Sequence, residues 1–367
     1  MLCKIPWKTF LLCAGSILFL CSCSTARTLL LAGSAHVQEG GIYALSEGKE
    51  PERCLRVPTL NYLIRSSKNP TLLYGTLGRH LTKKSRYGAV GIFREGKNRK
   101  FALLQCVSVS GKTACHLTLS PDGKFLYTAN YSSGDISELP LDERGLICGK
   151  GRLIPHSGRG VTPRQKGPHP HFVSFDPAGK QLYVCDLGTD EIRIYGYVPG
   201  KGLKLPCMEI LKLPPGSGVR HLTFAPDGKT LYTANELNSS CSSFVRKGST
   251  WKLVQTLSTR QKPSNIKNYP GAIRIMPDGK YFLLTNRGEN SIALFETAPG
   301  GKFTLLETIP SGGIYPSDLL LFPDGKRFAV IHLKSHNVTL FELDTKKKRL
   351  LPKKESFRIP QGMTLTL

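Results

Sequence analysis

The chain has 367 residues, 40 % of them hydrophobic, with 37 glycines and 25 prolines, so it can bury a sizeable core and must turn often. Its formal net charge is +25, yet no recognition helix, stacked-aromatic motif or zinc-finger spacing accompanies that charge, which argues against a nucleic-acid partner. The lysines fall in turns such as Pro226-Asp227-Gly228-Lys229 and in the run Lys346-Lys347-Lys348-Arg349. That distribution reads as solvated loops, with attraction to an anionic envelope surface as the second reading.

The first predicted element is a targeting signal over residues 1–22. Lys4 and Lys8 give it a positive start, and Phe10 to Leu20 an apolar run too short to span a bilayer. Leu20-Cys21-Ser22-Cys23 follows. Leu at −3, a small residue at −1 and then Cys resembles a bacterial lipoprotein box, in which Cys23 carries lipid after cleavage. The expectation is an exported lipoprotein held at the bilayer by its N-terminal anchor. An uncleaved anchor, an ordinary signal peptide, or a soluble cytoplasmic or periplasmic protein are the alternatives. Seven cysteines remain: Cys54, Cys106, Cys115, Cys148, Cys185, Cys207 and Cys241. None forms a Cys-x-x-Cys pair and their number is odd, so no disulfide framework is implied and most are expected buried as small hydrophobes.

Thr28 to Leu45 carries two strand signals without a turn marker. Beyond it one unit repeats: "HLTLSPDGKFLYTAN", "HFVSFDPAGKQLYVCD", "HLTFAPDGKTLYTANE", "AIRIMPDGKYFLLTNR" and "DLLLFPDGKRFAVIHL". Its marker prolines are Pro121, Pro177, Pro226, Pro277 and Pro323, and Pro70 marks an earlier degraded copy. Strand, turn and strand at a period near fifty predict a β-propeller with one four-stranded blade per repeat. Apolar residues alternate before and after each turn, as at Leu222, Phe224 and Leu231, with the period of two that strands require. Six repeats are visible. The last strand signal, "QGMTLTL", paired with those of Thr28 to Leu45, would complete a seventh blade and close the ring without a free edge. The prediction is one all-β domain, residues 28–367: a monomeric seven-bladed propeller closed by its N- and C-terminal strands.

Three rows of residues share one end of these hairpins. Counted from the marker proline, position −6 holds Cys115, His171, Arg220, Gly271 and Ser317; position +9 holds Asn130, Asp186, Asn235, Asn286 and His332; position +10 holds Tyr131, Leu187, Glu236, Arg287 and Leu333. In an antiparallel hairpin the start of one strand lies beside the end of the next, so the polar tips should converge on one mouth of the central channel. A repeat needs only identical tips, and different ionisable groups in successive blades suggest a grafted site. Bland readings compete: the recurring Asn as a turn-stabilising residue, His116 and His221 as packing residues, Arg220 with Glu236 as a structural ion pair. His169 beside His171 is a weak metal signal, and no metal is expected.

The stretches "CHLTLSPDGKFLYTANYSSG", "GPHPHFVSFDPAGKQLYVCDLGTDEI", "GVRHLTFAPDGKTLYTANELNSS" and "LLTNRGENSIALFE" together resemble the seven-bladed-propeller lactonase family, typified by propeller-type 6-phosphogluconolactonase. The resemblance covers essentially the whole mature chain, and a fungal enzyme that lactonises carboxymuconate is similar in fold. It implies hydrolysis of a small anionic sugar lactone without a cofactor. It also carries the family's proposed His, Glu and two Arg onto His171, Glu236, Arg220 and Arg287. His116, Asn130, Asp186, His221, Asn235, Asn286 and His332 are expected to line the substrate side. Either His171 or Glu236 would serve as the base, and the two arginines would hold an oxyanion or a substrate anion. Two departures weaken the pattern: "YPSD" puts Ser317 where an Arg commonly follows the Pro, and "VIHLKSHN" stands where "ANQ" is usual. The competing reading is therefore a non-catalytic envelope propeller that binds an anionic glycan or a protein.

Overall fold

A computed structural model describes residues 30–46, 48–78 and 87–367. The signal segment, Cys21 and Cys23 lie outside the described residues.

Each blade starts from the same local chemistry. In the Pro-Asp-Gly-Lys turns the Asp carboxylate accepts the backbone N–H two residues on, as from Asp227 Oδ1 to Lys229 N at 2.8 Å and from Asp278 Oδ1 to Lys280 N at 3.0 Å. Gly228 and Gly279 take φ of 64° and 71°, which a residue with a Cβ rarely adopts. Turn and alternation together fold the chain into seven antiparallel sheets. Their inner strands are Leu60–Arg65, Ala114–Leu119, Pro170–Phe175, Val219–Phe224, Tyr269–Ile275, Pro316–Leu321 and Gly362–Thr366, and each touches the next around the ring. The blade begun by Pro170–Phe175 carries an extra short strand, Gly202–Leu203.

Closure follows the predicted route. Gly362–Thr366 pairs antiparallel with Leu30–Ser34 in the register Leu31 with Thr366, Ala32 with Leu365 and Gly33 with Thr364. The chain ends thereby meet inside one sheet. Asp318 of the preceding blade fastens this strand, accepting from Thr364 Oγ1 and Leu365 N, both at 3.2 Å, while Arg274 pairs with its other oxygen at 3.0 Å.

The core lies in the seams between blades, each seam holding one apolar cluster. Phe282 and Phe295 stack at 4.6 Å within one such cluster, with Tyr232 of the preceding blade 4.6 Å from Phe282. The cysteines differ from expectation. Only Cys185 and Cys241 are buried, while Cys54, Cys106, Cys115 and Cys207 are half-buried and Cys148 is exposed. Seams filled by aromatic and branched side chains leave most of them at the margins.

Candidate active site

The inner strands share a defect that builds the site. In the five that precede an intact marker turn, the pairing register slips around position −6: between Ala114 and His116, Pro170 and Phe172, Val219 and His221, Pro270 and Ile273, and Pro316 and Asp318. A bulge of this kind leaves a residue unpaired and re-aims its side chain. His171 and Arg220 are two such residues. Glu236 stands one residue beyond Thr230–Asn235, and Arg287 ends Tyr281–Arg287.

These side chains meet. Glu236 Oε2 lies 2.5 Å from Arg287 Nη2 and 3.1 Å from Arg220 Nε. Only the first of these is a well-directed hydrogen bond, because Arg220 Nε has no aligned acceptor. Arg220 Nη1 instead reaches His221 Nε2 at 2.7 Å, and the His221 ring meets His171 edge-on at 5.5 Å. Arg287 is braced by Tyr269 O at 2.9 Å and lies over the Tyr315 ring at 5.3 Å.

A third cation was not legible in the hairpin rows. Arg164, on the loop that leads into Pro170–Phe175, puts Nη1 2.6 Å from Glu236 Oε1 and Nη2 3.1 Å from the Tyr131 hydroxyl. The sequence signal is slight: Arg164 stands seven residues before His171, beside Gln165, in a stretch without strand periodicity.

Electrostatics follow from this crowding. Burial would raise the Glu236 pKa, but the charges of Arg287, Arg220 and Arg164 outweigh it and hold the carboxyl well below the ordinary range. Burial, then Arg287, pull Arg220 down to about 10, which leaves it charged at neutral pH. Burial and the Arg220 charge also lower His171 well below its ordinary value, so its ring is neutral near pH 7. Its Nδ1 is buried without a hydrogen-bond partner.

The position +9 row does not reach this mouth, which corrects the expectation for Asn130, Asp186, Asn235, Asn286 and His332. Successive strand residues point to opposite sides, so when +10 faces the mouth, +9 faces into the blade. All five are fully buried. Asn235 Nδ2 donates to Ser240 Oγ and Ser242 Oγ, both at 2.9 Å, Asn130 ties its own blade in the same way, and Asn286 donates to Ser291 Oγ of its own blade and to Thr259 O at the end of the preceding one. Asp186 pairs with His156 at 2.7 Å and also accepts from His169 N and Gly188 N. His332 is packed beneath Gly313, with Nδ1 on Asn337 O at 3.2 Å.

His116 and His221 lie in the channel below the site. The His116 ring packs between Tyr62 at 4.0 Å and Phe172 at 4.2 Å, and meets His221 at 5.6 Å. Ser317, the departure in the last repeat, bonds to Ile331 O and Gly362 O and so serves the backbone. Among the described residues no group of three or more His, Cys, Asp or Glu side chains is arranged to hold a metal ion.

A carboxylate clasped by three arginines beside a neutral histidine, at one mouth of a seven-bladed ring, invites comparison with known propellers. Residues 38–367 match the family described as "Lactonase, 7-bladed beta-propeller". The chain belongs to this lactonase family. An uncharacterized protein of Lactococcus lactis, YwcC, is 35 % identical over 208 residues, 55 % of this chain and 58 % of that relative. The match thus spans little more than half of that relative's length. The Bacillus subtilis 6-phosphogluconolactonase is 27 % identical over 268 residues, 72 % of this chain and 74 % of that protein. A Bacteroides fragilis structure, assigned provisionally as a 6-phosphogluconolactonase, superposes with a TM-score of 0.84 at 28 % identity, covering 94 % of this chain and 98 % of that one. A periplasmic gluconolactonase of Pseudomonas aeruginosa shares the fold, with a TM-score of 0.82 at 24 % identity over 92 % of this chain and 98 % of that one.

The arrangement brings a carboxylate and an imidazole together with cations fixed in a buried setting, where their field is weakly screened.

Proposed function

We propose that the protein hydrolyses an anionic sugar lactone of the 6-phosphogluconolactone type, with the chemistry at His171, Glu236, Arg220 and Arg287. The observation that carries this reading is the convergence at one mouth of an ionised carboxylate, a neutral imidazole and two buried guanidiniums, the groups that proton transfer and oxyanion stabilisation call for. Water attacks the lactone carbonyl carbon, and Glu236 takes its proton while His171 orients the oxygen through a ring nitrogen. The carbonyl π electrons move to oxygen, where Arg220 and Arg287 stabilise the developing charge. Collapse of the tetrahedral intermediate breaks the ring C–O bond, and the proton passes from Glu236 to the departing alkoxide. The product is the open hydroxy acid, which releases a proton at neutral pH.

That proton is the assay. Purified protein is mixed with 6-phosphogluconolactone, glucono-1,5-lactone and a carboxylate-bearing uronolactone in weak buffer with a pH indicator, against spontaneous hydrolysis and with or without chelator. Acceleration with either anionic lactone supports the reading, and acceleration with neither, or with the neutral lactone alone, sinks it.

The location is a second part of the proposal. The signal pattern over residues 1–22 favours export and lipid attachment at Cys23, which would expose the site to lactones outside the cytoplasm. Fatty-acid labelling tests it: the label should vanish in Cys23→Ala and persist in Cys21→Ala. Label persisting in Cys23→Ala would refute the anchor.

A further inference from the structure

The three arginines on Glu236 are not equivalent. Arg220 and Arg287 are 10 % and 8 % exposed and share Oε2, whereas Arg164 is 46 % exposed and holds Oε1 alone. Its backbone is fixed. The neighbouring Gln165 is fully buried, donating to Leu187 O at 2.8 Å and to Asp190 Oδ1 at 2.7 Å, and Asp190 also accepts from Gly216 N and Gly218 N. The Arg164 side chain therefore reaches from a rigid base to a half-exposed head group. Its other contact is the Tyr131 hydroxyl, a neutral acceptor.

With Arg164 in place, both oxygens of Glu236 carry guanidinium hydrogen bonds, so the carboxylate is poorly available to a water. We propose that Arg164 is the substrate-recognition arginine: it leaves Glu236 Oε1 for an anionic group on the incoming lactone, and this exchange frees Glu236 to take the water proton. The inference rests on the lactonase reading and deepens it by naming the residue that selects the substrate's charge. A guanidinium presents the same planar fork to a phosphate as to a carboxylate, so the exchange conserves the number of charge-assisted hydrogen bonds. Glu236 stays in place meanwhile, because Arg287 keeps its bond to Oε2. A neutral lactone offers Arg164 no better partner and meets a carboxylate still clasped. The chain thereby couples the arrival of an anion to the release of its base.

The test compares wild type, Arg164→Ala and Arg164→Lys on two lactones of the same ring, one phosphorylated and one neutral. Binding of 6-phosphogluconate, the anionic product, is measured by calorimetry alongside. The expected result for Arg164→Ala is a fall of about 10- to 100-fold in the preference for the phosphorylated lactone, the size of one lost charge-assisted pair. Its kcat for the neutral lactone should rise, because Glu236 Oε1 is no longer clasped, and 6-phosphogluconate binding should weaken. The acid limb of kcat for the neutral lactone should move to higher pH, because Glu236 has lost one cation, and Arg164→Lys should restore part of the preference. An unchanged preference, or an equal loss on both lactones, would overturn the proposal. Wild type that turns over no lactone, yet binds 6-phosphogluconate in an Arg164-dependent way, would sink the lactonase reading while leaving the anion-recognition role supported. Binding that ignores Arg164 would overturn that role too.

Discussion

Arg287 Nη2 and Glu236 Oε2 stand 2.5 Å apart although they belong to successive blades, and both side chains are more than nine-tenths buried. The pair joins the two sheets at the mouth, where no backbone ladder runs between them. Removing the cation leaves a buried carboxylate with two other guanidiniums nearby. The cost of Arg287→Met should therefore lie at or below the low end for a broken buried pair, on the order of 2–3 kcal/mol. Chemical denaturation would measure it, and an unchanged midpoint would mean that the pair contributes nothing to blade docking.

The pH dependence has a defined sign. Glu236 must be ionised to take the water proton and His171 neutral to orient the water, and the surroundings lower both pKa values. Activity should hold steady as pH falls from 8 through 6.5 and decline only at more acid pH, since both groups are lowered from their ordinary values. Initial rates corrected for spontaneous hydrolysis would show this, and a rate that halves near pH 6.5 would point to an unperturbed histidine instead.

The Asn at position +9 is assigned to structure by its bonds. Asn235→Ala removes two donors to Ser240 and Ser242 inside a buried blade, which should lower stability by about 1–3 kcal/mol. KM and kcat of the surviving folded protein should stay within about twofold of wild type. A large rise in KM with no loss of stability would return Asn235 to the substrate side.

These cases show what was legible in the residues. The Pro-Asp-Gly-Lys turns and the alternation around them carry the blades, because both signals are local and repeated. The pairing of Gly362–Thr366 with Leu30–Ser34 was legible too, since two unpartnered strand signals stood at opposite ends of a ring. Glu236 and Arg287 were legible as the odd members of a repeated row. Asp186 and His332 were misread because hairpin position fixes which end a residue occupies but not the side to which it points. Arg164 was missed for a third reason: it sits on a connecting loop, where no periodicity tells which blade it leans upon.

Ring closure makes a prediction of its own. Deleting Gln361 to Leu367 strips Leu30–Ser34 of its inner partner and removes the Thr364 and Leu365 donors from buried Asp318. The truncated chain should melt far below wild type or fail to fold, since an exposed edge replaces a sealed one. An unaltered thermal midpoint would show that the ring holds without its clasp.

The central claim is that Glu236 takes the proton during lactone hydrolysis, and Glu236→Gln tests it most directly. The amide keeps the size of the side chain and one acceptor for Arg287 while losing most of its basicity. Circular dichroism first establishes that the variant is folded, and kcat/KM for the lactone that wild type turns over best is then compared. The account predicts a loss of roughly 100- to 10,000-fold, the range for a removed general base. A folded Glu236→Gln protein that retains wild-type kcat/KM would contradict it.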